Sequence, residues 1–365
     1  EVRRRGDEPL ILSEFGNWGL PQVSRLLEAD GSEPWWFETG AEWGNGVVYP
    51  HGVEARYAHY HLERAFPTLE ALVAASQRLE YAALKYEIEQ IRRHSSLAGY
   101  VITEFTDVHW ECNGLLDLHR HPKDFFPALR ALNSDDLIIP EWERLAYWSG
   151  EECALTLALA HFSSADLRES RLEWEVEGQP TLRGALGPLA PRPADVTPVG
   201  RLTFRAPEVS HPLRLRLTLR LLQAEGTPAA EHVQEVFVFP PCAAPGELRV
   251  YAPELETPLR ALGYTPVDTL AAADLAVALT LTDALRAYLL QGGAVLWLAE
   301  NADALQTHVG GISIVPRRGS DWQGDWASSL SWICKDRLFS ALPTAGEVDF
   351  LFADLTPEQV IVGLH

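Results

Sequence analysis

The chain has 365 residues, 47% of them hydrophobic, enough to bury more than one core, so two or three domains are expected. Its formal net charge of −21 repels polyanions and excludes duplex nucleic acid and anionic membrane surfaces as partners. No stretch approaches the roughly 20 apolar residues of a membrane helix, and EVRRRGDEPL lacks the apolar centre of a signal peptide.

From Leu10 to about Trp148, short apolar runs alternate with amphipathic segments. PLILSEFG reads as a buried strand that ends in Glu14 and Gly16, followed by a loop rich in Asn17, Trp18, Trp35, Trp36, Phe37 and Trp43. A carboxylate at a strand end among indoles suits a sugar, whose C–H faces stack on the rings while the carboxylate meets developing positive charge. A surface glutamate capping the next element is the plainer alternative. His51, His59 and His61 occupy a helix-like stretch where positions two apart do not face one another, so no metal site is expected. Residues 68–94 predict a helix, with Leu69, Leu72, Val73, Leu79, Ala83, Ile88 and Ile91 near helical spacing and Thr68 as its cap.

GYVITEF reads as a second buried strand, and within ten positions of its end come Glu104, Asp107, His109, Trp110, Glu111 and Asn113. PKDFFPALRALN then predicts a helix started by Pro122. Strand, helix, strand, helix is the order of a parallel sheet. The intervening loop with Asp117, His119, Arg120 and His121 reads as polar cover, or as a contact to a charged substrate group.

Between about Cys153 and Phe239 the hydrophobic period becomes two. Leu172, Trp174 and Val176 alternate with charged residues, as do Leu213, Leu215, Leu217, Leu219 and Leu221, which predicts half-buried antiparallel strands and a β-sandwich. After PPCAAPGE, the strands LRVYAP, DLAVALT and AVLWLAE alternate with ETPLRALGY and TDALRAYLLQGG in a small open α/β layer. The expected boundaries are therefore 1–148, 149–240 and 241–365. Cys112, Cys153, Cys242 and Cys334 lack CxxC or CxH spacing and are expected as buried free thiols.

LILSEFGNWGLP and GYVITEFTDVHWECNGLLDLHRHPK resemble the seventh and eighth barrel strands of glycoside hydrolase family 2, the β-galactosidases, β-glucuronidases and β-mannosidases. The resemblance spans roughly residues 8 to 135. It implies the C-terminal part of a (β/α)8 barrel, an immunoglobulin-like sandwich behind it, and a retaining β-glycosidase. Glu14 is then the nucleophile, with Trp18, Asp107 and Trp110 near the sugar. Asn17, Trp36, Trp43, Glu104 and Glu111 complete the candidate substrate contacts, and neither metal nor cofactor is expected.

The family's acid/base is a glutamate that follows an asparagine, and this chain has no Asn-Glu dipeptide. With Glu1 first and no methionine present, that residue is expected upstream of Glu1. Glu14 and Glu104 forming the pair themselves is the alternative on the residues alone. The last segment is similar to class I glutamine-amidotransferase-like domains but lacks a cysteine at a strand-to-helix elbow, which reads as a non-catalytic accessory. A competing class is a carbohydrate-binding or scaffolding protein derived from such a barrel.

Overall fold

The structure, a computed structural model, describes residues 6, 8–38, 50–94, 96–109, 111–241, 246–316, 330–335, 339–344, 346–355 and 359–363. The chain divides into two compact units, Glu1–Pro240 with Ser329–Ala353, and Pro241–Ser328 with Asp354–His365. The described residues are mostly β-sheet with few helices.

In the first unit, β1 (Leu10–Phe15) is followed by α1 (Val53–His59), α2 (Leu69–Arg92), β2 (Leu97–Ile102) and the short α3 (Leu129–Leu132). β1 and β2 pair in parallel, Leu12 opposite Tyr100 and Phe15 opposite Ile102. Thr68 caps α2 through its hydroxyl, which accepts from Ala71 N at 3.2 Å. Leu84 and Ile88 of α2 form a core with Phe125, Leu129, Leu137 and Ile139, against which Phe15, Tyr100 and Ile102 pack. One face of the strand pair is thereby covered. Its other side leaves Ile11 54% and Val101 51% exposed.

β3 (Asp136–Glu141), β4 (Ala146–Trp148), β5 (Glu152–His161), β6 (Ser170–Val176), β7 (Gln179–Leu189), β8 (Asp195–Arg205), β9 (Leu213–Leu222) and β10 (Pro228–Phe239) follow. Among the described residues they form two sheets, ordered β3-β5-β8 and β4-β10-β9-β6-β7. Leu155, Leu157 and Leu202 of the first share one core with Leu172, Leu217, Leu219 and Val236 of the second. The period-two alternation thus buries every second residue. The outer face carries charge, with Arg220 donating to Glu175 at 2.6 Å and to Glu231 at 2.9 Å.

Three expectations shift. β3 and β4, placed ahead of residue 149 by the sequence, pair with β5 and β10, because DLIIP is buried throughout and carries no alternation to mark it as sheet. Helical structure after Pro122 begins only at Phe126, since Pro122 is held in a bridge to Leu116. Residues 329–353, expected with the last segment, cluster with the first unit.

The second unit contains β11 (Arg249–Tyr251), α4 (Glu256–Ala261), β12 (Thr265–Pro266), β13 (Leu275–Ala278), α5 (Asp283–Leu290) and β14 (Ala294–Trp297). Its parallel sheet runs β12-β11-β13-β14. α5 is capped by Thr282 and followed by Gly292 at φ 89°. β15 (Ser313–Pro316) pairs antiparallel with β16 (Gln359–Val362). Cys112 and Cys153 are buried free thiols, whereas Cys334 is exposed on an irregular segment, and Cys242 lies outside the described residues. Trp322 and Trp326 lie outside them as well.

Candidate functional site

The ends of β1 and β2 are drawn together by Thr103 N, which donates to Phe15 O at 2.8 Å. A Cβ on Gly16 would overlap the carbonyl of Thr103, so the crossing admits glycine alone without a backbone shift. Beyond β2 the chain doubles back on itself. Glu104 N donates to Asn113 O at 3.0 Å, Leu115 N to Glu104 O at 3.1 Å, and Asp107 N to Leu116 O at 2.9 Å. Gly114 permits the closure, because a Cβ there would strike the backbone of Thr106 and Asp107.

This fold-back gathers three carboxylates. Glu14 is exposed at the end of β1, and Glu104 and Glu111 are half-buried in the loop after β2. Burial and then the charge of Glu14 push the Glu104 carboxyl up. Burial, Glu104 and Glu14 push Glu111 up against a lowering hydrogen bond from Asn113, whose Nδ2 donates to Glu111 Oε1 at 2.9 Å. Glu104 Oε2 and Asn113 Oδ1 are buried without a hydrogen-bond partner. The cluster therefore combines like charges with polar atoms left unsatisfied.

Asp107 lies behind the cluster. It is 4% exposed, and its Oδ1 accepts from Gly114 N at 2.8 Å and lies 3.0 Å from Lys123 Nζ. The same ammonium reaches Glu80 Oε2 at 3.1 Å and donates to Cys112 O at 2.8 Å. Asp107 thus pins the loop. Asp117 does similar work further on, accepting from His121 N at 2.8 Å and meeting His121 Nδ1 at 2.9 Å.

Trp18 is 2% exposed and belongs to the core, while Asn17 Oδ1 accepts from the Trp18 amide at 2.8 Å. Trp36 stands edge-on to Phe37 with centroids 4.7 Å apart. Trp43 and Trp110 lie outside the described residues. The structure therefore brings Glu14, Glu104 and Glu111 together and places Asp107 and Trp18 in the interior.

The polar stripe on α2 that holds both loops escaped the sequence reading. Ser76 Oγ accepts from Leu20 N at 2.9 Å, Gln77 Nε2 donates to Leu20 O at 2.7 Å, and Gln77 Oε1 accepts from Asp124 N at 2.8 Å. The signal was present: Ser76, Gln77 and Glu80 lie within about one helical turn among core positions, where unpaired polar groups are costly.

No known family description matches the chain, and no curated protein matches it. Among solved structures it is similar to fibronectin(III)-like modules of CbhA from Clostridium thermocellum, with 12% identity over 28% of this chain and 98% of that one, at a TM-score of 0.19. The sporulation control protein Spo0M of Bacillus subtilis shows 15% identity over 29% and 50%, at 0.20. A sialyltransferase from Photobacterium damsela shows 13% over 45% and 30%, at 0.16. Likenesses this slight define neither fold nor activity.

Proposed function

We propose that this chain is the C-terminal part of a retaining β-glycosidase resembling glycoside hydrolase family 2, with Glu14 as nucleophile. The observation that carries the reading is the meeting of Glu14, Glu104 and Glu111 at the carboxyl ends of two adjacent parallel strands, where barrel enzymes hold their chemistry. Parallel strands normally occur in wider sheets covered on both faces. β1 and β2, with Ile11 and Val101 exposed, fit as two strands of a (β/α)8 barrel whose other strands come from polypeptide outside this sequence. The two packed sheets then correspond to the immunoglobulin-like domain, and the parallel sheet of the second unit to a non-catalytic amidotransferase-like accessory.

In this reading Glu14 attacks the anomeric carbon of a β-galactoside, β-glucuronide or β-mannoside and expels the aglycone. The glycosyl ester is then hydrolysed by water, restoring the carboxylate. Glu104 and Glu111 face the developing positive charge, and Asp107 with Lys123 holds their loop in register. The acid/base comes from the rest of the barrel, about 5–5.5 Å from the nucleophile as retention requires.

A second reading makes Glu104 the proton donor, favoured by its raised carboxyl and unpartnered Oε2. The test is to expose the protein to 2,4-dinitrophenyl 2-deoxy-2-fluoro-β-glycosides, whose leaving groups need no protonation, and to map the labelled peptide. A glycosyl ester on Glu14 is expected; an ester on another carboxylate overturns the assignment. Loss of turnover in Glu104→Gln on alkyl glycosides but not on dinitrophenyl glycosides selects the second reading.

A further inference from the structure

A cleft of about 830 Å³ opens in the first unit between α2, the segment 128–145, strands β9 and β10, and residues 347–351. Glu14, Glu104 and Glu111 do not line it. Its size lies within the roughly 300–1,000 Å³ of small-molecule sites. The walls are largely apolar, with Leu79, Ala82, Leu132, Leu137, Leu145 and Phe237 among them. Tyr86, Trp142 and Phe350 form an aromatic group on the same cleft, with ring centroids 4.9 to 6.2 Å apart.

Charged side chains also line the cleft, and most are ion-paired: Arg78 with Glu347, Arg214 with Glu235, Arg216 with Glu177 and Glu231 with Arg220. Apart from these stands one compact, more deeply buried polar group. Lys85 Nζ is 2.7 Å from Glu89 Oε1 and 3.4 Å from Gln234 Oε1. The Glu89 and His232 side chains are each 2% exposed, and His232 Nε2 lies 3.4 Å from Glu89 Oε1 with no hydrogen-bond partner. Burial and the Lys85 charge hold this imidazole neutral. A bare ring nitrogen buried in an apolar wall is unfavourable by about 1–3 kcal/mol unless something meets it.

We infer that this cleft binds a small, largely apolar molecule bearing a hydroxyl group, with the hydroxyl seated among Lys85, Glu89 and His232. Lys85 and Glu89 already cancel one another, His232 is neutral, and the arginines of the lining already hold carboxylate partners, so a charged head group at this seat would bring uncompensated charge into the interior. A hydroxyl both donates and accepts. It accepts a hydrogen bond from Lys85 Nζ while donating one to Glu89 or to His232 Nε2, and it fits either tautomer of the ring. The apolar walls select the rest of the molecule. A sugar would turn several hydroxyls toward leucine and alanine, leaving them unpaired. An aromatic or aliphatic body instead packs on those walls and on the aromatic group. This inference stands apart from the glycosidase reading, and its site shares none of the strand-end carboxylates.

The test is fluorescence titration of the full chain with 2-naphthol, and calorimetry with naphthalene and with methyl β-galactoside. We expect 2-naphthol to bind at least about tenfold more tightly than naphthalene, as hydrogen bonds to charged groups provide, and the galactoside not to compete. His232→Phe should narrow the difference between the two aromatics without weakening naphthalene. If that variant fails to fold by circular dichroism, Glu89→Gln, which keeps the shape, is read in its place with the same expectation. Ala131→Trp at the exposed rim should abolish binding of both. Equal affinity of 2-naphthol and naphthalene, absence of binding by either, or displacement by the galactoside overturns the proposal.

Discussion

Lys123 faces two carboxylates and has all three of its protons placed, on Glu80, on Asp107 and on Cys112 O. Burial pushes Glu80 well up and Asp107 to about 7, while the two acids hold Lys123 charged. A buried group of two carboxyls and one ammonium is neutral when one carboxyl keeps its proton. Lys123→Met removes the ammonium and strands both acids, and should destabilise the first unit by about 3–5 kcal/mol in urea unfolding. A loss below about 1 kcal/mol would show that water reaches the trio. At Glu14 the chemistry gives a sharper outcome. Glu14→Ala in the intact enzyme should lose turnover, and azide filling the vacated space should restore a reaction that yields the inverted α-glycosyl azide. A β-azide by proton NMR makes Glu14 the proton donor instead. The meeting of Glu14 with Glu104 was readable, since each ends an apolar run. The inward turn of Asp107 was not, because its partner Lys123 lies sixteen residues downstream, where only the folded loop brings it.

Gly16 and Thr68 show how much of an element is set by one position. Gly16→Ala forces a methyl into the Thr103 carbonyl, so β1 and β2 must separate at the end that carries the carboxylates. Overpacking of this kind is unfavourable by about 1–3 kcal/mol. The expected result is a lower urea midpoint together with reduced reactivity of Glu14 toward the fluoroglycoside; an unchanged midpoint would mean that the strand ends tolerate separation. Thr68→Ala removes the cap of a 24-residue helix and should lower stability by about 1 kcal/mol with no change at Glu14. Elements with a clean period declared themselves in the sequence, as α2 did at helical spacing and β6 and β9 at period two. β3 did not, because both its faces are buried and a continuous apolar run does not state its partner.

At the scale of the whole molecule, the buried acids set an unusual pH dependence. Burial pushes Glu87 to about 7 from an ordinary 4.5, and moves Asp107, Glu80 and Glu89 in the same direction. A carboxyl raised in the folded state binds its proton more tightly there, so its contribution is full at low pH and is lost as pH rises from about 4.5 through about 7. For the enclosed Asp107 the loss is on the order of 2 kcal/mol between pH 5 and pH 8, and for half-buried Glu87 it is smaller because water screens it. His232 opposes them. Its imidazole is held neutral when folded, so the unfolded chain gains a proton below about pH 6.5 and stability is lost as the pH falls. Glu87 and the Glu80, Asp107 and Lys123 group push one way and His232 the other, and the net charge of −21 adds self-repulsion as ionisation proceeds. The first unit should therefore melt several degrees higher at pH 5.5 than at pH 8 by scanning calorimetry. Glu87→Gln should raise the melting temperature at pH 8 and leave it nearly unchanged at pH 5.5, since the carboxyl it replaces is already protonated there. A melting temperature that climbs steadily from pH 5.5 to 8 in both proteins would show that these carboxyls ionise freely in the folded state, with water reaching the interior where the structure encloses Glu80, Glu89 and Asp107.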